Sequence, residues 1–273
     1  MSTTVAIQGD NASFHDIAAA KFFGKETERV FCDTFSDTFS ALATDKADVA
    51  LCAIENSLYG SINDVYDLLF TYNFQIVGEV YLRIEQCLVG MPGTKLDAIA
   101  EVYSHPVALA QCERYLDMTL PGAKRMEHHD TAASVQLIST LKKPSVAAIA
   151  GRQAAELYGM EILASSIETD SQNYTRFVVL SKQPTVDQSL NKTSLVIRTN
   201  HTPGALYAAL GCFAKRDINL TKLQSRPVMG SAWNYIFYID VAIGNDAPLF
   251  TQAIDQLNAQ GCDVTVLGSY ISG

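Results

Sequence analysis

No apolar stretch in the 273-residue chain is long enough to span a bilayer. The opening residues MSTTVAIQGD carry neither a basic region nor a long apolar segment, which argues against a secretory signal and leads us to expect a cytoplasmic protein. Six cysteines (Cys32, Cys52, Cys87, Cys112, Cys212 and Cys262) include no CxxC pair. Most lie inside apolar segments, so buried thiols are expected rather than disulfides or a zinc site. The five histidines lack metal-ligand spacing. Their one cluster, His128-His129, would point to opposite faces of a strand, so no metal site is expected there. Basic residues are outnumbered, 20 against 29 acidic, for a formal net charge of −9. That argues against broad nucleic-acid binding, which needs a basic face. An anionic small molecule stays open, because screening limits surface fields to about 8 Å and one local arginine can outweigh a distant acidic surface.

What is present points to a folded α/β chain. Apolar residues make up 48% and charged residues 18%, enough for a sizeable core. At roughly 100–200 residues per domain the length suggests about two domains. Apolar runs at Val5–Ile7, Val30–Cys32, Val49–Ile54, Ala147–Ala150 and Phe177–Leu180 read as strands. Between them, Ser13–Phe23, Thr38–Thr44, Ile62–Tyr72, Pro106–Tyr115, Thr131–Leu141 and Arg152–Tyr158 read as helices. This alternation predicts βαβ units and largely parallel sheets. Ser13 before Asp16, and Ser61 before Asp64, come close to capping boxes. A polar stretch, SKQPTVDQSLN, then reads as a linker. The remainder has its own order: strand Ser194–Arg198, helix Gly204–Arg216, strand Asn219–Gln224, strand Asn234–Val241, helix Leu249–Ala259, strand Val264–Gly268. That is βαββαβ, a ferredoxin-like order. The expected division is 1–181, a linker at 182–192, and 193–273.

Polar clusters follow several strands, where α/β proteins bind ligands at helix N-termini. Gln8–Phe14 offers Gly9 for a turn and Ser13 as a helix cap. Glu55-Asn56-Ser57 directly follows an apolar strand, where hydrogen bonds to an anion are expected. In Tyr103–Cys112, Pro106 fits a first helical turn, Ser104 or His105 its entry, and Gln111 lies about one and a half turns in. His105 reads as a turn histidine or a base. In His129–Ser134, Asp130 or Thr131 caps the next helix. Finally QNYTRFVVL places an amide, a phenol, a hydroxyl and a guanidinium before a buried strand. Arg176 there forms a buried salt bridge or grips a ligand.

The order GDNASF, IENSLYGSINDVYDLL, VYSHPVALAQC and NYTRFVVL resembles the prephenate dehydratases. NxTRF and ENSxxGxxxD are specific in combination. The tail is similar to that family's ACT regulatory domain: Gly204-Ala205-Leu206, then Ile218–Thr221, then Ser225-Arg226-Pro227. The likeness covers nearly the whole chain apart from the linker.

The resemblance implies a two-lobed, periplasmic-binding-protein-like (type II) α/β domain with a cleft, followed by an ACT domain. The lobes would be 1–80 plus the last strand, and 81–170, with crossings near Gly78–Glu85 and Ile167–Asn173. It implies decarboxylating dehydration of prephenate to phenylpyruvate, driven by aromatisation, with no cofactor or metal. Thr175, Asn56 and Gln111 are the implied catalytic residues. Arg176, Ser57, Glu55, Ser13, Thr131 and Asn173 would bind substrate, Glu55 serving as an acid or fixing its loop. L-Phenylalanine would bind through Gly204, Ala205, Leu206, Asn219, Gln224, Ser225 and Arg226 in a homodimer or homotetramer. One departure stands out: Gln224 occupies the usual glutamate position, which removes a charge and would weaken feedback binding. An arogenate dehydratase and a non-catalytic two-lobed sensor are the rival readings. Because strand neighbours face opposite ways, Thr175 and Arg176 reach one ligand only if the backbone bends or the ligand sits at the strand tip.

Overall fold

The computed structural model describes residues 3–185, 189–227, 235–245 and 247–273. Contacts divide the chain into two compact units, Met1–Leu68 with Val80–Phe177, and Leu69–Glu79 with Val178–Gly273.

The first unit contains two sheets. Elements of the first are β1 (Thr4–Gln8), α1 (Phe14–Phe23), β2 (Glu28–Cys32), α2 (Phe35–Ala43), β3 (Val49–Asn56), β4 (Gly60–Ser61), α3 (Asn63–Tyr72) and β5 (Gln75–Arg83). The chain then builds a second sheet from β6 (Cys87–Gly90), β7 (Glu101–Ser104), α4 (Pro106–Gln111), α5 (Glu113–Thr119), β8 (Lys124–Glu127), α6 (Thr131–Leu141), β9 (Val146–Ala150), α7 (Arg152–Leu157) and β10 (Glu161–Ala164). It returns through β11 (Tyr174–Ser181). The first sheet runs β2-β1-β3-β11-β5, with β4 against β3, and takes from β5 and β11 the parts that lie in this unit. The second runs β10-β6-β9-β7-β8.

The sheets are mixed rather than largely parallel. β1 pairs in parallel with β2 and β3, and β7 with β8 and β9. β6, however, runs antiparallel to both β9 and β10. β6 leads into the second lobe and lies against the later β9, an arrangement that the helix–strand alternation did not reveal. Strands β5, β6, β7, β8 and β10 were not read from the sequence, since each is short or interrupted by polar residues. The predicted helix Pro106–Tyr115 breaks at Cys112, and Ser61 falls in β4 rather than capping α3.

β9 shows how the second sheet is held. Its VAAIA is buried throughout. Val146, Ala148 and Ala150 face a core with Val135 and Ile138 of α6. Ala147 and Ile149 face a separate core with Leu109 of α4 and Leu116 of α5. An unbroken apolar strand is what burial on both faces requires. The capping prediction for α1 holds: the Ser13 hydroxyl accepts from Asp16 N–H (3.3 Å), and the Asp16 carboxylate accepts from Ala12 N–H (3.0 Å).

The second unit contains β12 (Lys192–Arg198), α8 (Ala205–Ala214), β13 (Leu220–Pro227), β14 (Tyr235–Val241), α9 (Pro248–Ala259) and β15 (Asp263–Tyr270). Its antiparallel sheet runs β13-β14-β12-β15, with α8 and α9 packed on one face through Phe213, Phe250 and Leu257. Asn234, the expected start of one strand, and 186–188 of the expected linker lie outside the described residues. On the opposite face Lys192 Nζ donates to both Glu79 carboxylate oxygens (3.0 and 2.9 Å), all three side-chain groups being buried. Ser194 donates to Asp240 (2.5 Å) beside them.

Gly268 fixes β15 against β5. Its φ is +147°, and a Cβ there would lie 2.1 Å from Ile76 O. Neither the backbone angle nor the contact tolerates a side chain. Gly268→Ala is therefore expected to destabilise the protein by about 2 kcal/mol or more, read as a lowered urea midpoint.

Candidate active site

A cavity of about 400 Å³ opens in the first unit. Gln8 and Asn56 reach it from the C-terminal ends of β1 and β3, and Thr175 from the start of β11. His105 and Gln111 arrive after β7, and Asp130 and Thr131 after β8. Strand C-termini facing a cleft are the usual ligand position of such sheets. The chain crosses between the two sheets twice, and the crossings bond to each other: Ile84 N–H to Asn173 O (2.8 Å) and Ile167 N–H to Gln86 O (3.0 Å).

The chemistry centres on Asn56. Its Oδ1 accepts from the backbone N–H groups of Leu58 (3.0 Å) and Tyr59 (2.9 Å). Backbone amides only donate, so this atom is the oxygen and Nδ2 faces the other way. Nδ2 donates to Thr175 Oγ1 (3.0 Å) and Asn173 Oδ1 (2.8 Å), with Tyr174 O at 3.2 Å. Asn173 Nδ2 in turn donates to Gln111 Oε1 (3.0 Å). Gln86 Nε2 donates to the same oxygen (3.3 Å). Each orientation follows from the one before it.

Two donors emerge from this chain with no acceptor among the described residues. Thr175 Oγ1 takes a hydrogen bond from Asn56, so its own proton is directed elsewhere, and Thr175 lines the cavity. Gln111 uses its oxygen on Asn173 and Gln86, which leaves its NH₂ for the cavity. Asn56, Gln111 and Thr175, read separately along the sequence, thus form one network joined through Asn173. Asn173 itself is fully buried and does not line the cavity.

Other expected residues divide. Thr131 lines the cavity at the first position of α6. Ser13 is buried as the α1 cap. Glu55 pairs with Ser61 on β4, outside the lining. Ser57 donates to Gln172 O (2.7 Å) and accepts from Tyr174 N–H (2.9 Å), which ties its loop to β11. Arg176 is buried but absent from the lining, while Thr175 and Phe177 on either side of it both line the cavity. Strand alternation turns its side chain to the opposite face. Among the described residues no lysine or arginine lines the cavity; the polar groups there are amides, hydroxyls, imidazoles and one carboxylate. The effector positions fall in the second unit. Gly204 precedes α8 at φ +82°, and Ala205 and Leu206 begin that helix. Asn219 precedes β13, with its carbonyl accepting from Ala242 N–H. On β13, Ser225 pairs opposite Phe237, which packs into the helix-covered core, while Gln224 and Arg226 alternate to the other face.

His15 and Gln86 also line the cavity, which the sequence reading did not assign, and Asp130 lines it as the α6 cap that was one of the two expected there. His15 Nε2 accepts from Ala53 N–H (3.2 Å), and burial pushes its pKa down to about 3. His105 is also lowered, chiefly by burial, against the opposing pull of Asp130 and Glu127. Asp130 caps α6 through Ala133 N–H (2.9 Å), and burial raises its carboxyl above the usual value. Gln86 Oε1 is buried without a hydrogen-bond partner. His128 and His129 do not face apart: they follow β8 rather than sit in it, and their rings lie 4.3 Å apart. No metal-binding group of His, Cys, Asp or Glu occurs among the described residues, and no helix there is long and apolar enough to cross a membrane.

The family model for prephenate dehydratase matches residues 5–185. The chain belongs to the prephenate dehydratase family. It is 38% identical to the chloroplastic arogenate dehydratase 4 of Arabidopsis thaliana, over 98% of this chain and 68% of that one. A solved prephenate dehydratase from Arthrobacter aurescens, in complex with L-Phe, superposes with a TM-score of 0.88 at 29% identity, covering 98% of this chain and 90% of that one. A structure described as a novel type of quorum quenching acylase also reaches 0.88, at 33% identity and 99% and 98% coverage. Family membership makes the chain a carbon–oxygen lyase, a dehydratase of phenylalanine biosynthesis, with the periplasmic-binding-protein-like fold of that family.

Two outcomes test this geometry. Asn56→Asp keeps the acceptor for the two backbone amides but replaces the donor facing Thr175. The Thr175 proton is then captured by the carboxylate, and kcat is expected to fall about 100-fold or more. The second concerns stability. His15 is held neutral in the folded state and titrates near 6.5 when unfolded. Stability from this group is full above pH 6.5 and is lost as pH falls toward 3, because the unfolded chain binds the proton first, by up to roughly 1.4 kcal/mol per pH unit. His15→Phe should flatten the difference between urea midpoints at pH 7 and pH 4.5.

Proposed function

We propose that the chain converts prephenate to phenylpyruvate, carbon dioxide and water, with L-phenylalanine acting at the βαββαβ domain as feedback inhibitor. The observation that carries the catalytic reading is the Thr175 hydroxyl, whose oxygen is held by Asn56 while its proton stays uncommitted at the cavity. In the reaction the bond from the ring to its carboxylate breaks and that electron pair enters the ring. The ring–hydroxyl bond then breaks, and the departing oxygen takes a proton that comes from solvent and leaves as water. Thr175 donates to that oxygen. A hydrogen bond into Oγ1 from Asn56 strengthens the donation. Gln111 NH₂ orients a substrate oxygen, and Asn173 holds Asn56 and Gln111 in register. Thr131 offers a hydroxyl at the first turn of α6, an end of the helix that favours anions.

With no guanidinium in the lining, the two substrate carboxylates meet neutral donors and helix N-termini. Weak, neutral binding of the departing carboxylate suits the reaction, since a tight ion pair would stabilise the ground state. On this reading Arg176 supports β11 from its buried face rather than gripping substrate.

For regulation, the family likeness, the L-Phe in the Arthrobacter structure and the βαββαβ order support an ACT domain at 193–273. Gly204–Leu206, Asn219, Gln224, Ser225 and Arg226 are its proposed effector residues, in a homodimer or homotetramer. Gln224 brings no charge to that site, so inhibition is expected to be weak.

Arogenate is the second substrate to weigh, given the identity to an arogenate dehydratase. An acylase reading fits less well. A threonine nucleophile needs a base, and the Thr175 oxygen meets an amide donor instead. The nitrogens His15 Nε2 and His105 Nδ1 already accept from backbone amides.

The test is phenylpyruvate and phenylalanine formation from prephenate and arogenate side by side, with and without added phenylalanine. Thr175→Val should lower kcat about 100-fold or more, while Thr175→Ser keeps most of it. Unchanged turnover in Thr175→Val removes Thr175 from the mechanism.

A further inference from the structure

His15 is a group that neither the motifs nor the proposed mechanism uses. It stands second in α1, and its ring lies edge-on to Phe177 (5.0 Å, 85°) and Phe35 (5.7 Å, 61°). These contacts hold the imidazole plane. Ala53 N–H occupies the Nε2 lone pair at 3.2 Å, so the neutral ring carries its proton on Nδ1. That N–H has no acceptor among the described residues, and His15 lines the cavity. The position on the first turn of a helix and the apolar ring neighbours both oppose a positive charge. A neutral imidazole so placed donates a hydrogen bond without drawing in a counter-ion, as in enzymes that polarise carbonyl oxygens this way.

Position along β11 says which part of the substrate it meets. Phe177, against which His15 packs, is two residues from Thr175 on the same face of the strand, roughly 7 Å away. That separation is about the span of a six-membered ring with a substituent at each end. With Thr175 at the departing hydroxyl, a group packed on Phe177 faces the opposite end of the ring, whose carbon carries the ring carboxylate and the three-carbon side chain; phenylpyruvate, which lacks that carboxylate, separates the two.

We propose that His15 is a substrate-binding residue whose Nδ1–H donates to an oxygen of the α-keto acid side chain. The assignment rests on the dehydratase reading for the identity of the ligand. The side chain survives the reaction unchanged, so the contact holds substrate and product alike. It should appear in KM and in product affinity rather than in kcat.

The experiment compares three substitutions in the full-length protein, by steady-state kinetics with prephenate and by calorimetric binding of phenylpyruvate. His15→Phe keeps a ring and loses both nitrogens. His15→Asn restores a donor near the Nδ1 position, and His15→Gln restores a polar group near Nε2, against Ala53. The expected result is a rise of about tenfold or more in KM and in the phenylpyruvate Kd for the Phe and Gln variants, with kcat within threefold. The Asn variant should recover most of the loss. Rescue by Gln but not Asn assigns His15 to Ala53 alone and overturns the proposal, as does an unchanged Kd in His15→Phe. Binding is read separately from turnover. Wild-type protein that binds phenylpyruvate through His15 but makes none from prephenate sinks the proposed reaction and leaves the contact standing. Wild-type protein that does neither removes both.

Discussion

Two backbone N–H groups, those of Leu58 and Tyr59, decide the polarity of the whole site. They meet Asn56 Oδ1 in a tight turn, and a backbone amide has no way to accept. The carboxamide is thereby oriented without help from any charged residue. Asn173, Gln111 and Thr175 inherit their orientations in sequence, across segments more than 50 residues apart in the chain. A site made this way has little freedom to adapt: reversing one amide would set two acceptors face to face. Such fixed dipoles need not reorganise as charge moves during the reaction, which is where much of an enzyme's rate advantage arises.

The surrounding fold supplies the rigidity this demands. Asn56 ends an eight-residue strand buried over most of its length, and Thr175 begins another. Both sit where regular backbone meets the cavity, so their Cβ positions are set by sheet hydrogen bonds rather than by loops. The second sheet contributes Gln111 from a short helix seated on a core of Leu109, Cys112 and Ile149. Ser57 fastens the turn after β3 to Gln172, just before β11, and to Tyr174, its first residue.

Much of this was legible in the sequence, and the gaps have physical causes. The apolar runs Val49–Ile54 and Phe177–Leu180 marked Asn56 and Thr175 because such a run fixes where a strand stops or starts, whereas Gln111 and Thr131, which follow the unread strands β7 and β8, were carried by the family resemblance. βαββαβ in the tail was legible because its strands and helices differ cleanly in period, and the structure has that order. The antiparallel turn of β6 was not, because local pattern says nothing about which later strand lies beside it. His15 was passed over for a similar reason. Within the sequence it reads as one more residue in a capped helix, and its significance depends on Ala53 and Phe177, both far along the chain. Gln86 lies at a crossing between sheets, where neither helix nor strand period applies. Ser57 was adjacent to the right residue and turned to Gln172 and Tyr174 instead, while Glu55 lies outside the lining.

The alternation of Thr175, Arg176 and Phe177 has a consequence for how this site can change over time. Point substitutions act on one side chain, but a single-residue insertion or deletion between Asn173 and Phe177 would invert the parity of the strand. A hydroxyl would be exchanged for a guanidinium at the cavity wall, and the aromatic surface that braces α1 would rotate away with it. The length of this segment is thereby constrained along with its identity. Relatives that keep the reaction should align here without gaps.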